Sequence, residues 1–160
     1  MQAQREVILT AGGLKKIEEE LDQLRKVHRK RVADRIRESV QLGGEPGDNS
    51  EFEDAKNEQA MVEGRIDELR QILALARVIE TDEVLTDRVG VGSVVMVRDV
   101  ETGDEWEWTI VGTVEADPAE DRISNESPVG DALMGLKVGD TAEVDIPAGV
   151  AKYQIVAIRK

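Results

Sequence analysis

The chain has no cysteine. Disulfide bridges, thiolate metal sites and thiol nucleophiles are therefore excluded. It has a single histidine, His28, so neither a nucleophilic triad nor a histidine-rich metal cluster is expected. Aromatic residues make up only 2%: two Trp, one Tyr and one Phe. Aromatic rings normally supply much of a thick core, so burial here must be largely aliphatic, as along a helix–helix seam. No apolar run approaches the roughly 20 residues of a membrane span. The segment Met1–Arg5 is polar and lacks the apolar stretch of a signal peptide. A soluble, cytoplasmic protein with no membrane partner is expected. Cations are the minority charge, 21 Lys and Arg against 34 Asp and Glu, giving a net charge of -13. Such a chain is a poor ligand for free duplex DNA, whose phosphates repel it. No glycine loop suited to cradling phosphate is present. A self-sufficient enzyme is not expected.

What the sequence does contain divides near residues 80–91. Before that point the pattern is helical. Leu14, Ile17, Leu21 and Leu24 follow the 3-4-3 spacing of a coiled-coil seam, and His28 takes the next seam position. Thr10 is the N-cap candidate, although Gly12 and Gly13 weaken the first turn. Past His28 the apolar positions shift to Val32, Ile36 and Val40, a stutter that changes the supercoil locally without ending the helix. Gly43-Gly44, Pro46 and Gly47 predict the break. A second helix carries Phe52, Ala55, Gln59, Val62, Ile66, Leu69, Leu73 and Ala76 in continuous 3-4 alternation, with Asn49 or Ser50 as its cap. A short connection between two long amphipathic helices makes them antiparallel neighbours. Each arm has roughly 30 residues, on the order of 45 Å at 1.5 Å per residue.

After residue 91 come short β-rich runs: Ser93–Arg98, Glu105–Val114, Thr141–Ile146 and Lys152–Ile158. Thr102-Gly103-Asp104 and Pro147-Ala148-Gly149 are turn candidates. Ser127–Leu136 suits a short helix with Pro128 in its first turn. The expected fold class is α+β, with residues 1–80 as an antiparallel coiled-coil hairpin whose tip is 43–51. Residues 81–91 are expected as a linker, and 92–160 as a small antiparallel sheet with one short helix. Trp106 and Trp108 share one strand face by period-two spacing, as core or as a docking surface.

Two charge features are candidate sites. Arg25, Lys26, Arg29, Lys30, Arg31, Arg35 and Arg37 crowd the distal part of the first helix, interrupted only by Asp34. Such a stripe meets either nucleic-acid phosphates or an acidic protein surface, or else it is a solvated face paired across to Glu53, Glu58 or Glu63. The tip itself reads Glu45-Pro46-Gly47-Asp48-Asn49-Ser50-Glu51. Carboxylate oxygens suit hard cations such as magnesium, and one or two of them complete the shell of an ion held elsewhere rather than caging it alone.

The tip and its flanks resemble the Gre family of bacterial transcript-cleavage factors. Gly44-Glu45-Pro46-Gly47-Asp48-Asn49-Ser50-Glu51-Phe52, then Ala55-Lys56-Asn57-Glu58-Gln59 and Glu63-Gly64-Arg65-Ile66, follow the family's tip pattern. So do the opening Leu9-Thr10-Ala11-Gly12-Gly13-Leu14 and, later, Ser127-Pro128-Val129-Gly130-Asp131-Ala132-Leu133-Met134-Gly135 with Val138-Gly139-Asp140. The resemblance runs in order along nearly the whole chain. It implies a coiled-coil hairpin and an FKBP-like C-terminal domain that docks at the rim of the RNA polymerase secondary channel.

By this resemblance, Glu45 and Asp48 are the tip acids that share a catalytic magnesium with the polymerase, so that the polymerase cuts backtracked RNA. No cofactor is tightly bound. Asn49, Ser50, Glu51 and Phe52 support the tip. The basic stripe, with Lys56, faces the 3′ end of nascent RNA or the channel wall. Ser127, Pro128, Asp131 and Gly135, and the acidic stretch Glu101–Glu107, are candidates for docking. The partners implied are bacterial RNA polymerase and nascent RNA, with the factor itself monomeric. The chain departs from the pattern in places. The two acids are exchanged in type, Pro46 replaces a leucine, Phe52 replaces a tyrosine, and Gln41-Leu42 stand where Arg-Glu is frequent. These departures keep open a channel-binding regulator that inhibits without cleavage. A coiled-coil adaptor or chaperone-like protein is the reading from another class.

Overall fold

The computed structural model describes residues 6–41 and 49–160. The expected end of the first helix at Gly43-Gly44 and both tip acids, Glu45 and Asp48, lie outside the described residues. The chain packs as two compact units, one made of the residues up to Leu14 together with Ala76–Lys160, the other of Lys15–Leu75. No described helix is long and apolar enough to cross a membrane.

The second unit is the helical hairpin. Helix α1 (Ala11–Gln23) runs into a single π-helical turn, Leu24–His28, and then into α2 (Arg29–Gln41). Helix α3 (Ser50–Leu75) returns antiparallel to them, with Glu20 paired to Arg65 toward one end and Arg35 to Glu51 and Glu58 toward the other. The 26 residues of α3 span about 39 Å. Ile17, Leu21, Val32, Ala55, Ile66 and Leu69 are buried along the seam.

The π turn lies where the apolar spacing shifts in the sequence. A π turn lets one extra residue into the helix and so rotates the following stripe back toward the partner. The helix therefore continues, as the stutter predicts. One seam position of the first arm differs from expectation. Val40 is 59% exposed, whereas Ser39 is 3% exposed. Once the stripe restarts at Val32, a heptad step of seven residues reaches 39, not 40.

The first unit holds a five-stranded sheet of order β5-β4-β3-β7-β6, built from β3 (Val94–Asp99), β4 (Glu105–Val111), β5 (Arg122–Ser124), β6 (Thr141–Ile146) and β7 (Gly149–Arg159). The expected antiparallel sheet is mixed, because β5 adds to β4 in parallel. Helix α4 (Pro128–Leu133) contacts both edge strands, β5 and β6, and so lies across one face. Val95, Val97, Ile110, Leu133, Ala142 and Ile155 form the core with Val89.

The segment expected as a linker, 81–91, is folded onto this unit. Val89 is 2% exposed, donates its amide to the Leu136 carbonyl and accepts from the Gly135 amide. Its apolar side chain has a place in the core, and its backbone groups are satisfied there.

A further two-stranded parallel sheet joins β1 (Val7–Thr10) to β2 (Ala76–Ile79). Ala76, expected as the last helical seam position, is thus the first residue of a strand. A buried carboxylate fixes β1 in place. The Glu115 side chain, 4% exposed, accepts from the Thr10 amide at 2.7 Å, the Thr10 hydroxyl at 2.6 Å and Arg122 at 2.8 Å. The Thr10 hydroxyl also accepts from the Gly13 amide at 3.1 Å, so Thr10 caps α1 as expected. Gly13 is required here, since a Cβ would fall 2.0 Å from Glu115 Oε1.

Glu115→Ala strands three donors, of which Arg122 retains access to water, and is expected to destabilise the globular unit by about 1–3 kcal/mol. Urea unfolding followed by tryptophan fluorescence measures this, because both tryptophans lie in that unit. An unchanged midpoint would contradict the assignment.

Candidate functional site

The end of the hairpin is built from the last turn of α2 and the first turn of α3. Of the two possible caps, Asn49 is the one used, its Oδ1 accepting from the Phe52 amide at 3.2 Å. Its Nδ2 donates to the Ser39 carbonyl at 2.8 Å. Ser50 and Glu51 are exposed, and Phe52 is half-buried. Glu51 and Glu53 stand in the first turn of α3, where the positive end of the helix favours carboxylates. Heptad spacing from Val32 is the only sequence signal for Ser39. The Asn49 link to it leaves none, because a carbonyl acceptor carries no residue identity.

The basic stripe is largely engaged with carboxylates. Arg29 makes two hydrogen bonds to Glu63, at 2.7 and 2.8 Å. Arg35 lies 2.6 Å from Glu58 and 3.7 Å from Glu51, and Arg31 lies 3.5 Å from Glu58. Lys26 pairs with Asp22 and Arg37 with Asp34 along their own helices. Lys56 donates to Gln59. Among the described residues, no carboxylate lies within 4.0 Å of Arg25 or Lys30. Cross-helix pairing to Glu58 and Glu63 therefore occupies part of the stripe, while Arg25 and Lys30 stay open to solvent.

These pairs set the local titration. The hydrogen bond to Glu63 raises the Arg29 pKa, and the one to Glu58 raises that of Arg35. The Arg29 hydrogen bond holds the Glu63 carboxyl below its ordinary value, aided by the charges of Arg29 and Arg70 and opposed by desolvation.

In the globular unit, Ser127 caps α4. Its hydroxyl accepts from the Gly130 amide at 3.1 Å and donates to the Ser124 carbonyl at 2.7 Å. Pro128 begins the helix. Asp131 is exposed, and Gly135 is exposed with φ +80°. Four of the docking candidates thus fall on one short helix or beside its ends. Ser127 and Pro128 shape it, and Asp131 and Gly135 lie on the surface. Trp106 and Trp108 stack at 6.0 Å, and both meet Tyr153 edge-on. Trp108 and Tyr153 pack against the core, while Trp106 is 37% exposed at its margin. The expected shared face holds both as core and as surface.

Two family models together cover most of the chain. Residues 7–78 match the family model for the N-terminal domain of transcription elongation factors, and residues 84–160 match that for the GreA/GreB C-terminal domain. The chain belongs to the GreA/GreB family of transcription elongation factors. It is 52% identical to transcription elongation factor GreA of Alkaliphilus oremlandii (strain OhILAs), with 100% of both chains covered. It is 49% identical to transcription elongation factor GreA of Acetivibrio thermocellus, again with 100% of both chains covered. Among solved structures it is similar to GreA factor homolog 1 (Gfh1) of Thermus thermophilus, at 32% identity over 98% of this chain and 100% of that one, with a TM-score of 0.45. In this GreA/GreB chain the described residues include no group of three or more His, Asp or Glu side chains arranged to hold a metal ion.

Because the Glu63 carboxyl sits below its ordinary value, its contribution to folding is complete above the ordinary glutamate pKa of about 4.3. That contribution is lost as the pH falls through the lower, folded value. The helix melting temperature is expected to drop on acidification below about pH 4. Glu63→Gln should flatten part of that acid limb, as followed by far-ultraviolet circular dichroism. Superimposable acid limbs would contradict the role of the Arg29 pair.

Proposed function

We propose that this chain binds bacterial RNA polymerase by entering its secondary channel hairpin first, and that it stimulates the polymerase's own cleavage of backtracked RNA. The observation that carries this is a helical hairpin whose two arms are joined beside Gln41 and Asn49 by a hydrogen bond and an ion pair, with Glu45 and Asp48 lying between those two residues in the sequence. The similarity to GreA proteins, about half of all positions identical over the full length, supports it.

Two carboxylates are too few to hold magnesium alone, but their hard oxygens fit the open positions of an ion that the polymerase already ligates. Bound there, such an ion would stabilise the attacking and leaving oxygens of a phosphoryl displacement. Glu45 and Asp48 would orient it and its water. In the cleavage, water adds to the phosphorus of an internal phosphodiester, the ribose 3′ oxygen leaves, and that oxygen takes up a proton. The polymerase owns the reaction, and this chain contributes two ligands. Arg25 and Lys30, together with whatever part of the stripe exchanges its carboxylates for phosphates, would face the extruded RNA 3′ end. The globular unit, through the α4 region, would hold the polymerase rim. The factor acts as a cytoplasmic monomer with no tightly bound cofactor.

The test uses a stalled, backtracked elongation complex with end-labelled RNA and magnesium. Added protein should yield shortened RNA that can be re-extended. Glu45→Ala and Asp48→Ala should each abolish the shortening while leaving polymerase affinity nearly intact. Parallel loss of cleavage and affinity would contradict the proposal. Slowed elongation with no shortened RNA would identify an inhibitor of the same channel.

A further inference from the structure

We infer that Asn49 is a positioning residue that clamps the two arms of the hairpin at its far end and so fixes the base from which the tip acids act. The inference rests on the cleavage reading above, but its structural half stands apart from it.

A helix leaves its last carbonyls and its first amides without partners. The Asn49 side chain bonds one backbone group of each kind, on two different helices. Its Oδ1 accepts from the Phe52 amide in the first turn of α3. Its Nδ2 donates to the Ser39 carbonyl in the last turn of α2. An ordinary N-cap needs only the acceptor, so Ser, Thr and Asp serve equally well at such positions. The cross-helix bond uses the donor half of the amide, which Asp lacks and which Ser would have to supply from its single, shorter hydroxyl.

The receiving side is prepared. Ser39 is 3% exposed, and its hydroxyl turns back onto the Ile36 carbonyl at 2.7 Å, away from the clamp. Among the described residues, Arg35 also crosses between the arms, to Glu58 at 2.6 Å lower down and to Glu51 in the first turn of α3 at 3.7 Å, the latter joining a 40% exposed guanidinium to a 66% exposed carboxylate. Solvent and salt screen such a pair. The Asn49 bond, at 2.8 Å, is shorter and less exposed than the Arg35–Glu51 pair. Seven residues, 42–48, intervene between Gln41 and Asn49, and both tip acids are among them. Asp48 is bonded directly to Asn49.

The test separates the clamp from the cap. Asn49→Ser and Asn49→Asp both keep a capping acceptor, differ in charge, and lose the amide donor. The absence of native cysteine allows spin labels to be placed at Glu38→Cys and Glu53→Cys, both exposed positions near the clamp. The distance distribution measured by electron paramagnetic resonance should widen in both variants, while helicity and polymerase affinity stay at the unmodified value. Cleavage at saturating factor should fall roughly tenfold, the scale of one lost hydrogen bond in a rate. The concentration of factor giving half-maximal cleavage should not move. An unchanged distance distribution overturns the clamp whatever the RNA does. A widened distribution with undiminished cleavage overturns the positioning role. If the unmodified chain yields no shortened RNA, the cleavage reading falls, and the distance measurement still decides whether Asn49 joins the arms.

Discussion

The buried carboxylate of Glu115 is the constraint on which the chain's entry into its first helix depends. It binds two groups of Thr10, 105 residues earlier in the sequence, and one group of Arg122. With those donors in place, β1 is held against the globular unit and can pair with β2. Thr10 is then oriented to cap α1. Two glycines make room for this arrangement. A Cβ at Gly13 would strike Glu115, and one at Gly112 would come within 2.1 Å of the Ile8 carbonyl. The carboxylate is affordable in the interior because it is paired and hydrogen-bonded.

The hairpin is held by a different balance. Its seam buries Ile17, Leu21, Val32, Ile66 and Leu69, with the small Ser39 and Ala55 between them. Charged side chains of opposite arms reach each other beside it. The resulting pairs, Glu20 with Arg65, Arg29 with Glu63 and Arg35 with Glu58, are partly exposed. They fix the pairing of the arms more than they add stability. They also divide the basic stripe, leaving some cations engaged and Arg25 and Lys30 open.

The hairpin, the short helix behind Ser127 and four of the five strands of the main sheet are legible in the sequence, because long 3-4 spacing and glycine or proline turns mark them. The stutter after His28 marks the π turn. Other features leave no such trace. β1 and β2 have four residues each and pair across most of the helical region, and Ala76 continues the helical spacing up to the point where the strand begins. β5 has only three residues. Glu115 looks in the sequence like any other acid, since its role comes from burial that no local pattern records. For the candidate site, the Glu58 and Glu63 pairs follow from helix geometry, and Asn49 as a cap follows from its residue type. Its bond to a main-chain carbonyl of the other arm does not.

In the proposed function, this GreA/GreB chain lends two carboxylates to a metal that the polymerase holds. The most direct measurement is the magnesium dependence of RNA cleavage in a backtracked elongation complex, with and without saturating factor. If Glu45 and Asp48 complete the ion's shell, the factor lowers the magnesium concentration needed for half-maximal cleavage. A factor that accelerates cleavage by the same ratio at every magnesium concentration would contradict that role and place its action in holding the RNA instead.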